Sequence, residues 1–206
     1  MAYPNATTKR IRHPLAAVHG YDELMPPMTR RDAARNREHL LAVARQMRHD
    51  GQALQLNELA RRAGLGVGTV YRHFATVQEL AETLVADHLV ELEAGAAAID
   101  DEQSLRAYLV HALGLLVSDD DFASVATHPQ PALESTRQAR QQLIAALAAA
   151  LDRIQVRQRM APGLESADIL LLLCGLAYAV RSGGLDPQRV AAYTQAFFDG
   201  IFASNS

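Results

Sequence analysis

A chain of 206 residues can bury a real core, as one large domain or two small ones, and its 5% of aromatic residues, lack of tryptophan and wealth of Ala, Leu, Arg and Gln favour helix nearly everywhere. The single cysteine, Cys174, excludes an internal disulfide framework and suits a reducing compartment. The longest apolar run, 169–180, is shorter than the ~20 residues of a membrane span, and the run 15–18 is too short for a signal sequence. A soluble cytoplasmic protein with no membrane partner is expected. The net charge of −3 hides an asymmetry: twelve Lys and Arg against six Asp and Glu up to Phe74, then eight against seventeen. A basic head on an acidic body suits a partner that is a polyanion.

Residues 1–28 carry Pro4, Pro14, Pro26 and Pro27 without periodicity and read as a mobile arm, with a basic cluster at Lys9, Arg10 and Arg12 and with Met25 and Met28 just before the periodic sequence begins. From Arg31, Leu40, Val43, Ala44 and Met47 follow the i, i+3, i+4, i+7 spacing of an amphipathic helix, which Asp50-Gly51 stops. Leu56, Leu59, Ala60 and Ala63 repeat it up to Gly64, and Val67, Val70, Tyr71 and Phe74 repeat it again. A fourth helix starts at Thr76, an N-cap with Glu79 in capping-box register, and runs through Leu80, Leu84, Val85, Leu89 and Leu92 to about Gly95. Gly64-Leu65-Gly66 is then the turn of a helix-turn-helix. Its second helix opens on Gly66, Val67, Gly68 and Thr69, the end that meets base edges, while Tyr71, Arg72 and His73 supply phosphate donors.

"RDAARNREHLLAVARQ" followed by "LNELARRAGLGVGTVYRHFATVQEL" closely resembles the DNA-binding domain of the TetR family of bacterial transcriptional repressors, over about residues 31–92. The resemblance implies an all-α protein: a three-helix DNA-binding head (29–75), a linking fourth helix, and a helical ligand-binding and dimerisation body (76–206). It implies a homodimer on a double-stranded DNA operator, most often a repressor released by a small-molecule effector. It sets Thr69, Tyr71 and His73 at phosphates and Val67 and Gly68 toward the groove. Periodicity instead buries Val67, and Tyr71 also falls on the apolar stripe. Gly66, Arg72, Thr76 and Arg35 complete the expected DNA contacts, with Arg30, Arg31 and Arg37 near Arg35. The chain departs from the family pattern at Ala75 (usually proline), Val77 (often a lysine on phosphate) and Gln55 (usually a Thr or Ser cap).

Beyond the head, Leu105, Tyr108, Leu109, Leu113 and Leu116 predict a helix over 103–117, and Asp119-Asp120-Asp121 reads as a helix cap rather than a metal motif. A short helix over 122–127 and a long one over 134–159 follow, broken at Pro162-Gly163. The run 169–180 is apolar nearly all round, and a final helix after Asp186-Pro187 shows two apolar faces, one for the core and one for a partner. Leu172, Leu176, Tyr193, Phe197, Phe198, Ile201 and Phe202 are the expected dimer residues. His88, Tyr108, His111, Phe122, Cys174 and Tyr178 are polar-tipped or aromatic groups on apolar helices and the candidate effector contacts. The acidic balance of the body favours an apolar or aromatic effector, cationic rather than anionic.

No HExxH, nucleophile elbow or GxxxxGK[ST] occurs, and no cofactor, metal or enzymatic activity is expected. A helical small-molecule carrier or protein-interaction module is the competing reading, and it leaves the basic head unexplained.

Overall fold

In the computed structural model, which describes residues 30–184 and 186–202, the periodic stripes become ten α-helices and a short 3-10 turn, with no strand among the described residues. The arm expected over 1–28 lies outside them. Contacts divide the chain after Glu38, inside the first helix, α1 (Arg30–His49). Residues 30–38, the described part of the first unit, are the opening turns of α1, with Arg30, Arg31 and Arg35 exposed.

From His39 onward, the rest of α1 packs with α2 (Leu56–Ala63) and α3 (Val67–His73) around Leu40, Ala44, Met47, Leu59, Val70 and Phe74. Gly64 ends α2 at φ +65°, a left-handed position that suits glycine, and this turns the Leu65 N–H back onto the Ala60 carbonyl at 3.1 Å. Gln55 stands at the N-cap of α2 without a side-chain capping bond. The fourth predicted helix is two: α4 (Val77–Leu84) and α5 (Ala86–Ala97), which meet at Val85, where φ −101° and ψ 3° leave the helical region. At that bend Leu84 packs against both the head core and the body core. Thr76 Oγ1 accepts the Glu79 N–H at 3.1 Å, and the Glu79 carboxylate accepts the Ala75 N–H at 2.7 Å, one residue ahead of a strict capping box.

The body consists of α5, α6 (Glu102–Ser118), α7 (Asp120–Thr127), α8 (Glu134–Arg153), α9 (Ser166–Gly183) and α10 (Pro187–Ile201). Acidic residues stand at the N-cap of four of these helices: Asp101 reciprocally with Ser104 for α6, Asp119 for α7, Glu165 paired with Asp168 for α9, and Asp186 ahead of Pro187 for α10. The aspartate run 119–121 therefore caps a helix. Tyr108 crosses α5 where Gly95 leaves room; a Cβ at Gly95 would lie 3.2 Å from the tyrosine ring. Helix α8 ends at Arg153, six residues earlier than expected, with Gln155 at φ +57° followed by the 3-10 turn Arg157–Arg159. The Arg153 guanidinium reaches the Ala97 and Ile99 carbonyls past the end of α5, so it cross-ties α8 to α5.

Glu82 of α4 is a buried charge at 1% exposure. Its carboxylate accepts the N–H groups of Ala132 (2.6 Å) and Leu133 (2.8 Å) at the entry to α8, a Gln78 amide N–H (2.9 Å), and the Thr136 hydroxyl. Desolvation by burial raises its pKa, but these four donors together outweigh it and the carboxyl titrates below the ordinary range. A depressed folded pKa contributes stability that is present above the unfolded value and lost as pH falls through the folded one. Glu82→Gln should therefore cost about 2 kcal/mol near neutral pH and flatten the acid limb, as urea titrations between pH 3 and 7 would measure.

Candidate DNA interface and body cavity

Helix α3 divides cleanly. Val70 and Phe74 point into the head core, whereas Val67 (46% exposed), Gly68, Tyr71 (48% exposed) and Arg72 face outward, flanked by exposed Gly66 and Thr76. The apolar stripe expected over Val67 and Tyr71 is thus corrected: α3 is too short to bury more than one narrow face, and the head needs only Val70 and Phe74. Thr69 and His73 are half-buried at the edge of the outward face. Val77, which stands where a phosphate-gripping lysine is common, is exposed.

The basic character of the head is partly consumed inside the chain. Arg61 and Arg62 both bind Glu58, at 2.6 and 2.9 Å, and side-chain hydrogen bonds from Arg61 and Arg62 hold the Glu58 carboxyl at about 2. Arg48 pairs with Asp121 of α7 at 2.6 Å. Arg72 has no ion pair among the described residues and is exposed, as is Arg35 on α1.

Gly68 is the most telling position. A Cβ there would meet nothing within 4 Å, and Gly66 would meet only the Thr69 hydroxyl oxygen at 3.9 Å. Glycine inside a helix costs about 1 kcal/mol against alanine, so the packing of the chain gives no reason for Gly68. A bare backbone on an exposed helix face leaves room for a surface from outside to come close.

In the body, a cavity of about 260 Å³ lies among α5, α6, α7, α8 and α9, lined by apolar groups such as Leu89, Leu116, Phe122 and Leu173. Of the expected effector contacts, it brings together Phe122 and Cys174 and not the other four. His88 and His111 instead share Glu91: His111 Nε2 lies 2.8 Å from one oxygen and His88 Nδ1 3.8 Å from the other, while His88 Nε2 is 3.2 Å from Asp119. Tyr108 is buried over Gly95, and burial pushes its phenol well above the usual range. Tyr178 is 66% exposed on the outer face of α9. Arg140 and Asp168 also line the cavity, so its wall carries one basic and one acidic group. The sequence held a signal for Arg140, which stands in i, i+3, i+4, i+7 register with Leu143, Ile144 and Leu147 on α8. Burial pushes the Cys174 thiol up, as in an unreactive interior cysteine.

Helix α9 buries Ile169, Leu173, Ala177 and Val180 and exposes Leu171, Leu172 and Tyr178. Its 18 residues are long and apolar enough to cross a membrane by length and composition alone, but its buried stripe is that of a bundle helix. Leu176 of α9 is half-buried; on α10 Tyr193 is exposed and Phe197 half-buried, as is Phe202 at the end of the helix. Phe198 and Ile201, expected at a partner surface, lie in the body core, where the Arg106 guanidinium covers the Phe198 ring at 4.1 Å. These two residues belong to the core face of α10, which spacing alone does not tell from a partner face because both are apolar.

Two glycine substitutions of opposite sign follow. Gly64→Ala forces a Cβ into a left-handed conformation and should destabilise the head by about 1 kcal/mol. Gly68→Ala should stabilise it by about 0.5–1 kcal/mol. Thermal and urea unfolding of the two variants would check both signs.

Residues 40–84 match the family model of bacterial regulatory proteins, tetR family. No curated protein is similar enough in sequence to count as a relative. Among solved structures, a TetR transcriptional regulator from Rhodococcus sp. RHA1 is 21% identical with a TM-score of 0.57, covering 84% of this chain and 99% of its own. NalD, the secondary repressor of the MexAB-OprM multidrug efflux pump in Pseudomonas aeruginosa, is 18% identical with a TM-score of 0.53, over 85% and 100%. SmeT, the repressor of the Stenotrophomonas maltophilia multidrug efflux pump SmeDEF, is 17% identical with a TM-score of 0.54, over 82% and 91%. At these identities the likeness is one of fold. The head thus carries the sequence pattern of the tetR family of bacterial regulatory proteins over residues 40–84, and the chain as a whole shares the fold of the solved TetR regulators.

Proposed function

We propose that this TetR-type transcriptional regulator is a homodimeric repressor that binds a pseudo-palindromic operator through α3 and is released by a small molecule held in the body cavity. The observation that carries the DNA reading is the outward face of α3: Gly68 with no internal reason to be glycine, beside exposed Val67, Tyr71 and Arg72. Gly66 and Gly68 let the backbone approach the groove, where Val67 offers an apolar contact to a thymine methyl. Thr69, Tyr71, Arg72, His73 and Thr76 serve as phosphate contacts, with Arg35 as a further one from α1.

The dimer reading rests on the exposed apolar residues of α9 and α10. Leu171, Leu172, Tyr178 and Tyr193 leave a hydrophobic surface that a second copy would cover. Tyr178 moves by this reading from the effector site to the interface. Release rests on α7, whose Phe122 and Ala126 line the cavity while its Asp121 holds Arg48 of α1. A molecule that fits the cavity better when α7 has shifted would favour the DNA-incompetent arrangement, and DNA would weaken that molecule by the same factor.

Thr69→Ala combined with Tyr71→Phe should weaken binding to the selected operator by at least about tenfold without changing the unfolding midpoint. Gly68→Ala should weaken it while making the protein more stable. Two cationic contacts per head give about four phosphates per dimer and a log–log salt slope near −3.6. Affinities measured from 50 to 300 mM salt test this, and a slope shallower than about −2 contradicts it.

For assembly, Leu172→Asp, on a position 44% exposed in the single chain, should leave each subunit folded, yield monomer in ultracentrifugation, and abolish specific DNA binding. Phe198→Asp should instead unfold the body, because that ring is buried.

A further inference from the structure

The cavity is apolar except for two charged groups, and these differ in how far they are already committed. Asp168 is turned back on its own helix: its Oδ2 accepts the Glu165 N–H at 2.7 Å, at the positive end of the α9 dipole. Arg140 donates one guanidinium N–H to the His128 carbonyl at 2.8 Å and has no carboxylate within 4 Å among the described residues. A guanidinium carries five N–H donors in a planar fork that matches a carboxylate. A half-buried arginine with most of its donors unspent, in the wall of an apolar cavity, is a site for an acceptor that the chain does not supply.

Its position fits that role. Arg140 and Ile144 form part of the cavity wall and also border a more open depression at Pro129, Gln130 and Pro131, so the guanidinium stands at the mouth. An anionic head there keeps part of its hydration while an apolar tail enters the cavity. The field at the adjacent sulfur has the same sign: after burial, which raises the Cys174 thiol, the two remaining influences are Arg140 and Arg181, and both favour the anion. Of these, Arg181 is already near Asp120 at 3.4 Å and bound to the Leu116 carbonyl. The volume of about 260 Å³ equals roughly nine waters at about 30 Å³ each, room for a tail on the order of ten heavy atoms.

We infer that the effector is an apolar monocarboxylate, its head held by Arg140 and its tail among Phe122, Leu143, Leu173 and Cys174. This rests on reading the cavity as the effector site, and it reverses the expectation from overall charge: the acids of the body mostly face solvent, while the uncommitted charge at the cavity is basic.

Two matched series test it by calorimetry on the full-length protein: octanoate, octanamide and octylammonium, and 4-tert-butylbenzoate with its amide and the corresponding benzylammonium. The carboxylate of at least one series should bind at least about tenfold tighter than its amide and its cation and release operator DNA in that order. Arg140→Gln should remove the preference and leave amide binding nearly unchanged. An amide or a cation binding as tightly as its carboxylate in both series overturns the assignment, as does Arg140→Gln with carboxylate affinity intact. Should Arg140→Gln fail to fold, the ranking in the wild-type protein still decides. Absence of binding by all six probes overturns the assignment together with the reading of the cavity as an effector site.

Discussion

A carboxylate taken out of water must find donors or give up its charge, and Glu82 has found four. Two are the backbone N–H groups of Ala132 and Leu133, the residues that lead into α8, which the buried carboxylate satisfies. One side chain therefore stabilises the end of a body helix and fixes the element that leaves the head. Because the pairing is buried, sliding α4 along α8 would break charge-assisted bonds in a medium where replacements are scarce. This restraint fixes where α4 lies against the entry to α8.

Around that fixed point the other ties are more exposed and more easily exchanged. Arg48 of α1 meets Asp121 of α7 at 2.6 Å, and Gln78 of α4 lies 3.3 Å from His128 at the end of α7. Burial raises the Asp121 pKa, and Arg48 works against that rise. Arg140 joins the same neighbourhood through the His128 carbonyl. A cavity whose wall includes Phe122 of α7 and Arg140 of α8 thus shares two elements with the contacts that hold the head. This contiguity is what the proposed coupling of a bound molecule to DNA affinity rests on, with α7 as the element that both sites would bias.

Much of the fold was legible because helices with one wet face write their burial in the sequence: Leu40, Ala44 and Met47, or Leu105, Leu109 and Leu116, are in the core where their spacing puts them. Caps were legible for the same local reason, at Thr76 and Asp119. Periodicity failed where two faces are both apolar, as on α10, since it cannot say which of Phe198 and Tyr193 meets the core. It also failed on α3, where seven residues are too few for the pattern to separate Val67 from Val70. The residues proposed to face DNA follow one another in the chain and can be read there as one exposed group, whereas the cavity gathers residues from five helices that no single stretch announces. Overall charge and the cavity wall point to opposite ligand charges for a related reason. Net charge sums over a surface, whereas a ligand in a cavity meets only the groups that line it and are not already paired.

The central claim is that the outward face of α3, presented twice by a symmetric dimer, reads DNA. Selection of bound duplexes from random sequence by the purified protein tests it most directly. The account predicts an enriched inverted repeat whose half-sites lie about one helical turn or a multiple of it apart. Recovery of unenriched DNA, or of a single site without a two-fold repeat, would contradict it.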